Sequence, residues 1–528
     1  MKKSLLTLTL ACILMLVCVV PALADVNLQG YPITDETISL KLVIAEANTA
    51  NTHTDMWALV RLQEETGVRL EVERVDNSVW NERKSLMFAS NELPDLIIGS
   101  FTTDERSLYF TSGQLTSMND MLPLMPNYSE FLKRFQPIER AKLYDAQGNM
   151  IGFIGQASEG KKALPGARVV INQKWLDAVE MKMPTNWDEL VAVLTAFRDK
   201  DPNGNGENDE ITTIASANNM HNYFYGSFGL RTRGAHHDVV DVDPETGELR
   251  VYFQHENFRK YVEFMTMMYQ EKLIYQEIFT EGDKQSDVFN QTNRLSMLLN
   301  TIAPGNGGDN WYTVNWSLEG PDGYAFHTQT RGAIHSTGNF VITCDCPEEL
   351  IPVALKWVDY FYSEEGSALA LIGVEGEDWE VKEDGTRSWT DAALATRTED
   401  MSNDAFRAQF GMWPGGGVPA CFFSNLLDAE YGPIPSACAQ ALLKDYAPKK
   451  IWPIITFTAD ESAVVSQLGS DINNFAKNFA AQVMTGEKEL TDDTWAAFQD
   501  ELAKMNPEKL IDAYESALTR VYGEGAEF

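Results

Sequence analysis

The sequence has few cysteines for its length, and this excludes one class of extracellular scaffold. Six of the 528 residues are cysteine, and two of these lie in a hydrophobic run at the amino terminus. The four that remain are too few for a disulfide-rich scaffold. A bridge between Cys421 and Cys438 is compatible with the sequence, whereas Cys344 and Cys346 are too close together for an easy bridge. These two also lack the second ligand pair of a zinc site.

Basic residues are scarce as well. Lysine and arginine number 42 against 77 acidic residues, which gives a formal net charge of −35. Nucleic-acid binding depends on basic side chains that neutralise phosphates, and adsorption to an anionic membrane depends on a polybasic segment. The composition therefore excludes both as the main partner. The hydrophobic fraction of 44% is typical of a globular protein, so the acidity does not indicate disorder.

Only one hydrophobic run is long, and it lies at the amino terminus. Two lysines precede the apolar stretch Leu5–Val20, and Pro21–Ala24 offers a small-residue cleavage site. This order predicts a secretory signal peptide over residues 1–24, and hence an extracellular or cell-surface protein. Neither cysteine of the run follows a lipobox, so a direct lipid anchor is not predicted. No later stretch approaches the roughly 20 apolar residues of a membrane span.

Strand and helix patterns alternate after a short linker over residues 25–37. Short apolar runs predict strands, and longer amphipathic segments predict helices. The β-α-β-α-β order predicts a parallel sheet with helices on both faces. The predicted elements are the strand Ile38–Ala45, the helix Asp55–Thr66, the strand Val68–Val75, the helix Asn81–Ala89 and a short strand from Pro94.

A second run of elements begins with the strand Ala167–Asn172. It is followed by a helix over Gln173–Val179 and another over Thr185–Phe197, for which Thr185 is the predicted N-cap. Later segments with helical patterns are Asn257–Gln270, Pro347–Ile372, Asp460–Thr485 and Asp492–Lys504. No repeat of 20–50 residues is present.

The segment DPNGNGENDE, Asp201–Glu210, has the oxygen spacing of a calcium loop. Oxygen-bearing side chains occupy positions 1, 3 and 5, and Gly206 stands where an EF-hand loop turns sharply. Hard oxygen ligands suit Ca²⁺. Position 12, a bidentate glutamate in the full EF-hand pattern, is Thr212, so the loop is a shortened relative. We predict a structural Ca²⁺ held by Asp201, Asn203, Asn205, Glu207 through its carbonyl, Asp209 and Glu210. The alternative is a polar turn after a helix.

Taken together, these segments resemble the extracellular solute-binding proteins of ABC transporters. The strongest local resemblance is MPTNWDEL followed by the DPNGNG loop. TGVRLEVERV and SLMFASNELPDLII are similar to the family's early strand–helix–strand, and GNFVITCDCPEEL is similar to its return segment. The resemblance covers nearly all of the chain after the signal peptide. Within the family, the sequence is similar to the sugar-importing branch, including lipoprotein-type and alginate-binding periplasmic proteins.

The resemblance implies an α/β fold, a two-lobed clamshell of type II-like periplasmic binding proteins in which each lobe is a mixed sheet flanked by helices. Lobe 1 is predicted at residues 38–162 and 325–374, and lobe 2 at 163–324 and 375–528. The implied function is capture of a carbohydrate, an oligosaccharide, by hinge closure and its delivery to ABC permease subunits. The protein would be a monomer and would catalyse no reaction. A peptide or another polar solute is the alternative ligand.

Candidate ligand-binding residues follow from where the predicted strands end. Ligands of α/β folds bind at the carboxyl ends of strands, and sugars combine apolar faces that stack on aromatic rings with hydroxyls that need polar partners. Core packing for the tryptophans and turn formation for the asparagines are the competing roles. The candidates are Glu46, Asn48, Ser100, Phe101, Asn219, Tyr223, Asn300, Trp311 and Trp413.

A secreted glycosidase is the rival class for an acidic chain with 12 tryptophans. It requires two carboxylates about 5–10 Å apart, which sequence spacing does not exclude among so many acids. No local motif supports an enzyme, since G-x-S-x-G, H-E-x-x-H and Walker A patterns are all absent. A structural surface protein would show repeats, and none is present.

Overall fold

The computed structural model describes residues 27, 30–34, 38–46, 57–135, 139–140, 142–145, 147–158, 168–281, 284, 286–300, 311–313, 317–330, 332–383, 385, 387–398, 406–407, 409–411, 420–422, 442, 444–452 and 455–524. The predicted signal peptide, Asn48, Trp413 and Cys438 lie outside the described residues. So do the side chains of Glu46, Asn219, Asn300, Trp311 and Cys421.

The strands of the described residues are β1 (Ile38–Glu46), β2 (Val68–Asp76), β3 (Leu96–Ile98), β4 (Phe153–Ser158), β5 (Arg168–Asn172), β6 (Val240–Val242), β7 (Leu249–Val251), β8 (Met297–Asn300), β9 (Trp311–Thr313), β10 (Ile334–Ile342), β11 (Trp379–Val381), β12 (Arg387–Trp389) and β13 (Ala420–Phe422).

The helices are α1 (Trp57–Thr66), α2 (Trp80–Ser90), α3 (Thr103–Thr111), α4 (Pro126–Leu132), α5 (Gln173–Ala178), α6 (Trp187–Asp199), α7 (Ala217–Phe224), α8 (Glu256–Gln270), α9 (Ser286–Gln291), α10 (Ile351–Tyr360), α11 (Glu364–Ile372), α12 (Asp391–Leu394), α13 (Ala459–Met484), α14 (Asp492–Lys504) and α15 (Pro507–Tyr522). Among the described residues, no helix combines the length and apolar character needed to cross a membrane.

The first sheet has the strand order β13-β4-β10-β3-β1-β2. The strands β1, β2 and β3 are parallel, as predicted, and β10 runs antiparallel between β3 and β4. Alternate residues of β1 enter two different cores. Leu42 and Ile44 pack into one core, and Val43 and Ala45 pack into the other. Burial on both faces explains why β1 has an almost continuous apolar sequence.

The second sheet is smaller and has the order β8-β5-β9. Both outer strands are antiparallel to β5. Among the described residues its core is the largest, and it includes Trp175, Trp187 and Phe197 beside residues of the carboxyl-terminal helices, such as Phe479 and Leu518. The helices α13–α15 therefore belong to this second unit.

The chain passes between the two units at one edge of the first sheet. It leaves β4 at Ser158 and enters β5 at Arg168, and it returns from residue 330 into the start of β10 at Ile334. Ile334 pairs with Ala157, and Ser158 pairs with Phe422 at the end of β13. The crossings thus share one edge, at which two units can rotate about short connections.

The packing differs from the predicted lobe boundaries at two places. Trp379 is buried in a core of the first sheet, and β13 joins that sheet beside β4, although both follow the predicted boundary at 374/375. Residues 325–330 pack with the second unit, since the His327 amide donates to the Tyr446 carbonyl at 2.8 Å. We propose that lobe 1 comprises residues 33–158 and 333–422, and lobe 2 residues 168–330 and 442–522.

Two cysteines of the return segment are free thiols. Cys344 is exposed and Cys346 is buried, and neither forms a disulfide. Burial, with the charge of Asp95 as a smaller cause, raises the pKa of Cys346 to about 12. A thiol with such a high pKa is a poor nucleophile near neutral pH.

Candidate functional site

The carboxyl ends of the first sheet bring several predicted ligand residues to one edge. Glu46, the last residue of β1, lies level with Asp76 at the end of β2. Ile44 pairs with Ile98, so the Gly99–Ser100 turn lies at the same level. The rule that selected Glu46 and Ser100 would also have selected Asp76, which the sequence reasoning missed.

Hydrogen bonds from α2 hold the turn that carries Ser100 in place. The Ser100 carbonyl accepts hydrogen bonds from Trp80 Nε1 at 2.9 Å and from Lys84 Nζ at 3.1 Å. The Lys84 side chain is buried and also forms an ion pair with Glu105 at 2.8 Å. A Cβ on Gly99 would clash with the Trp80 ring, so this position requires glycine. Ser100 itself is exposed at the sheet edge.

The Phe101 side chain is not exposed at this edge of the sheet. It is 7% exposed and packs in a small core with Trp80, Phe88 and Tyr109. Its ring centroid lies 6.0 Å from those of both Trp80 and Phe88. Chain order predicts only that Phe101 follows the strand. Because Gly99 has no side chain, the Trp80 ring fits beside it, and Phe101 packs with that ring in the core.

The second sheet separates two of the candidate ligand residues, Asn300 and Trp311. Asn300, at the carboxyl end of β8, pairs with Arg168, the first residue of β5. Trp311 pairs with Asn172, the last residue of β5. The two therefore lie at opposite ends of β5, and only Asn300 lies at the end where the chain enters from the first lobe.

Asn219 and Tyr223 both lie on α7, four residues apart and so on one helix face. Tyr223 is 2% exposed, and its hydroxyl has no hydrogen-bond partner among the described residues. Its ring meets that of His327 edge to face at 5.8 Å. Burial raises the pKa of Tyr223 above its ordinary value. A buried hydroxyl without a partner is unfavourable, which is typical of a group completed by a water or a ligand.

The calcium-like loop is closed by its own polar groups. The Asp201 carboxylate accepts hydrogen bonds from the Asn205 and Gly206 amides at 3.1 and 3.0 Å. The Asn205 side chain accepts one from the Glu207 amide at 2.7 Å. Gly206 has a φ of +81°, the left-handed conformation that the predicted sharp turn requires. The loop thus has the tight turn that its sequence predicts.

Acidic oxygens converge behind this turn. Asp209 Oδ1 accepts hydrogen bonds from the side-chain amides of Asn203 and Asn205, each at 3.1 Å. Both carboxylate oxygens of Glu210 are buried without a hydrogen-bond partner among the described residues. Burial, together with the nearby charges of Asp209 and Asp201, raises the pKa of Glu210. A cation would satisfy these oxygens, so the residues present fit Ca²⁺.

Arg294 contributes to this loop from a distant part of the chain. Its Nε lies 2.8 Å from Asp209 Oδ2 and donates to the Asp209 carbonyl at 3.0 Å. No local pattern could have identified this residue. No three His, Cys, Asp or Glu side chains of the described residues form a metal-binding group on their own. A calcium site here would depend on the asparagine and backbone oxygens as well.

Comparison with known proteins identifies the family. The family model of the bacterial extracellular solute-binding protein matches residues 46–368, more than half of the chain. The chain belongs to this family. Its fold is the two-lobed α/β clamshell of periplasmic solute-binding proteins.

Three relatives of this solute-binding protein illustrate the range of the fold. The fructooligosaccharide ABC transporter substrate-binding protein FusA of Streptococcus pneumoniae is 24% identical and covers 91% of this chain and 90% of its own. Its structure with kestose has a TM-score of 0.70, at 21% identity, and covers 91% of this chain and all of that one. Another FusA structure is described as an EF-hand mutant.

The alginate-binding protein AlgQ2, solved without calcium ion, has a TM-score of 0.71 and 20% identity, and covers 92% of this chain and 98% of that one. An HMO-binding solute binding protein of Bifidobacterium longum infantis has a TM-score of 0.72 and 18% identity, and covers 93% of this chain and 100% of that one. All three relatives are binding proteins.

Proposed function

We propose that this solute-binding protein is exported with removal of residues 1–24, captures an oligosaccharide and delivers it to the permease subunits of an ABC transporter. The main support for this proposal is the position of the chain crossings between the lobes. They lie at the same edge of the first sheet as the carboxyl ends of β1–β4. Relatives that bind fructooligosaccharide, alginate and HMO support the carbohydrate class. No catalytic role is proposed, because these relatives are binding proteins.

Hinge closure supplies the mechanism. A ligand held by both lobes makes its full set of contacts only when the lobes are closed, so binding shifts the population toward the closed form. Lobe 1 would contribute Glu46, Asp76 and Ser100 from its sheet edge. Lobe 2 would contribute Asn300 and the face of α7 with Asn219 and Tyr223. The permease then distinguishes loaded from empty protein by the relative position of the lobes.

A thermal-shift screen of residues 25–528 against mono- and oligosaccharides and short peptides tests the function. A ligand that binds only the folded state stabilises it by RT ln(1 + [L]/Kd), about 2.7 kcal/mol at a hundredfold excess over Kd. We expect such a stabilisation with an oligosaccharide that is recovered intact. Consumption of the sugar would indicate a glycosidase instead, and a shift with peptides alone would contradict the carbohydrate assignment.

We also propose that the Asp201–Glu210 loop holds a structural Ca²⁺. The unpartnered Glu210 oxygens support it, as does the turn at Gly206. Asp201, Asp209 and Glu210 would supply carboxylate oxygens, and Asn203 and Asn205 would rotate their amides to present oxygen. The Glu207 carbonyl would complete the set. The ion would neutralise three clustered acids and hold the loop in one conformation.

Removal of calcium should therefore lower the melting temperature. We expect EDTA to lower it by several degrees, and a slight excess of Ca²⁺ but not of Mg²⁺ to restore it. The double variant Asp201→Ala, Asn203→Ala should melt at the EDTA-treated temperature with or without Ca²⁺. Asp500→Ala, an exposed acid on α14, serves as the matched control. A wild-type melting curve that EDTA leaves unmoved, in protein shown by elemental analysis to be metal-free, would refute the assignment.

A further inference from the structure

A groove of about 780 Å³ lies between α3 of lobe 1 and the first turns of α13 of lobe 2. Of the predicted ligand residues whose side chains the structure describes, Ser100, Phe101 and Tyr223, none lines it. Its walls include Asp104, Leu108 and Asp145 from lobe 1, and Phe457 and Ser462 from lobe 2. Ser462 Oγ donates a hydrogen bond of 2.7 Å to Asp104 Oδ2, which ties the two lobes together across the groove.

The helix α3, which lines the groove, follows the proposed binding edge directly in the chain. The turn that presents Ser100 continues through Phe101 directly into the N-cap of α3 at Thr102. Asp104 lies in the first turn of that helix, four residues beyond Ser100. The Asp104 end of the groove is therefore within four residues of the edge, close enough for a chain of several sugar units to reach both.

Both helix ends at the groove are already neutralised, which argues against an anionic occupant. Helix amino termini attract anions through unpaired amide groups and the helix dipole. Here Thr102 with Glu105, and Thr458 with Glu461, form capping boxes that bind those amides and place a carboxylate at each end. Hydrogen bonds from Arg520 lower the pKa of Glu461 to about 2, so this carboxylate stays ionised.

The remaining charges of the groove are also negative. Asp145 keeps its carboxylate bound to the amides of Gln147 and Asn149, at 2.9 and 2.8 Å. The described residues that line the groove include no lysine, arginine or histidine. A ligand carboxylate would therefore meet acids without a cation to offset the repulsion.

The apolar part of the lining suits the faces of sugar rings. Leu108 is 63% exposed, an unusual exposure for a large aliphatic side chain in a groove, and Phe110 and Phe457 are half-buried beside it. Hydroxyl groups of a bound sugar would find acceptors at the Asp104 carboxylate and at the Ser462 hydroxyl oxygen, whose own proton is donated to Asp104. The pattern of apolar faces beside isolated polar groups is typical of carbohydrate sites.

We propose, on the basis of the carbohydrate function above, that this groove is an oligosaccharide subsite selective for neutral sugars, with Asp104 and Ser462 bonding hydroxyls of the ligand. Uronic-acid oligomers would be excluded by Asp104 and Asp145. This assigns to the chain a ligand class, neutral rather than acidic, that the fold alone leaves open.

Calorimetric titration with matched trisaccharides tests the assignment. The probes are kestose, maltotriose and raffinose as neutral sugars, and trigalacturonic acid as the acidic one. We expect wild-type protein to bind at least one neutral probe at least 100-fold more tightly than trigalacturonic acid. Asp104→Ala and Ser462→Ala should each weaken binding of the neutral probe about tenfold. Asp104→Lys should lower the ratio of neutral to acidic affinity at least tenfold. Asp500→Ala is the control and should bind like wild type.

The outcomes separate the subsite from the function. Asp104 is exposed, so its variants should melt like wild type, and a melting curve run beside each titration shows this. Neutral binding that Asp104→Ala and Ser462→Ala leave within twofold of wild type would overturn the subsite but uphold sugar capture. Equal or tighter binding of trigalacturonic acid would overturn the neutral class. Binding of short peptides with no sugar bound would overturn both the subsite and the proposed function.

Discussion

Replacement of Arg250 by methionine should lower the free energy of unfolding by about 3–5 kcal/mol, the usual loss when one member of a buried ion pair is removed. Arg250 Nε lies 2.8 Å from Asp241 Oδ1, and Nη1 lies 2.5 Å from Asp243 Oδ2. Asp241 is 1% exposed. Without the guanidinium, the charge of Asp241 would stay buried, with the Thr232 amide donating to it at 3.1 Å.

The pH dependence of this loss has a defined sign. Burial raises the pKa of Asp241, and Arg250 opposes that rise. In the variant the folded-state pKa should rise further above the unfolded value, so protonation favours the folded state. The destabilisation is therefore fully present above the folded pKa and is relieved as the pH falls through it. Calorimetric unfolding at pH 7 and pH 5 should show a smaller loss at the lower pH.

A double variant supplies the control for this network. Arg250→Met with Asp241→Asn removes the charge together with its partner and should recover a large part of the lost stability. A loss below about 1 kcal/mol for Arg250→Met alone would contradict the view that the pair is structurally essential. So would a double variant less stable than the single one.

Gly226→Ala should strongly destabilise lobe 2, although it adds only a single methyl group. The short 3₁₀ helix Tyr225–Phe228 packs directly against the backbone of the segment that leads to the second crossing. A Cβ on Gly226 would overlap the Phe326 carbonyl oxygen, which is main chain and has no rotamer to change. Gly320 makes the reciprocal contact with the Ser227 carbonyl. We expect a loss above about 3 kcal/mol and a low yield of folded protein.

Gly469→Ala is the matched control, because it adds the same methyl group in open space. Gly469 lies inside α13, and a Cβ at this position would meet no atom within 4 Å beyond its chain neighbours and the backbone of its own helix. Alanine is favoured over glycine in a helix by roughly 0.5–1 kcal/mol, so this variant should be slightly more stable than wild type. Thermal unfolding of both variants measures this difference in stability. Equal effects would contradict the close approach at Gly226.

The sequence predicts regular elements well where hydrophobic period and capping agree. The strands Ile38–Ala45 and Val68–Val75 are each one residue longer in the structure, and the long helix predicted over Asp460–Thr485 is found at Ala459–Met484. The helix predicted from Thr185 begins at Trp187 instead. Asn186 is its N-cap and accepts from the Glu189 amide, while Thr185 bonds the Glu189 side chain.

Breaks inside fully buried segments are harder to predict. The segment Pro347–Ile372 forms two helices, because the chain turns at Phe361 and Ser363 caps α11 through a 3.0 Å bond to the Gly366 amide. Apolar residues continue across the turn since both helices are buried on most sides. The same limit applies to β13, whose place beside β4 depends on pairing across more than 250 residues and not on local pattern.

For the candidate site, chain order predicts which residues follow strands but not which of them face outward. Ser100 and Phe101 are adjacent and follow the same strand, yet one is exposed and the other is buried under Trp80. The turn of the calcium-like loop is local and follows from its own residues, whereas Arg294 reaches it from 85 residues away. Long-range partners of this kind are set by tertiary packing.

The order of strands in the first sheet has a consequence for biosynthesis. The strand β10 lies between β3 and β4, although it is made after the whole second sheet. Because the chain is synthesised from its amino terminus, β3 and β4 each have an unpaired hydrogen-bonding edge until residue 342 has been made. Open edges pair readily with other chains. A nascent or truncated chain that stops before this strand would be prone to aggregation, so lobe 1 can mature only after lobe 2 has been largely synthesised.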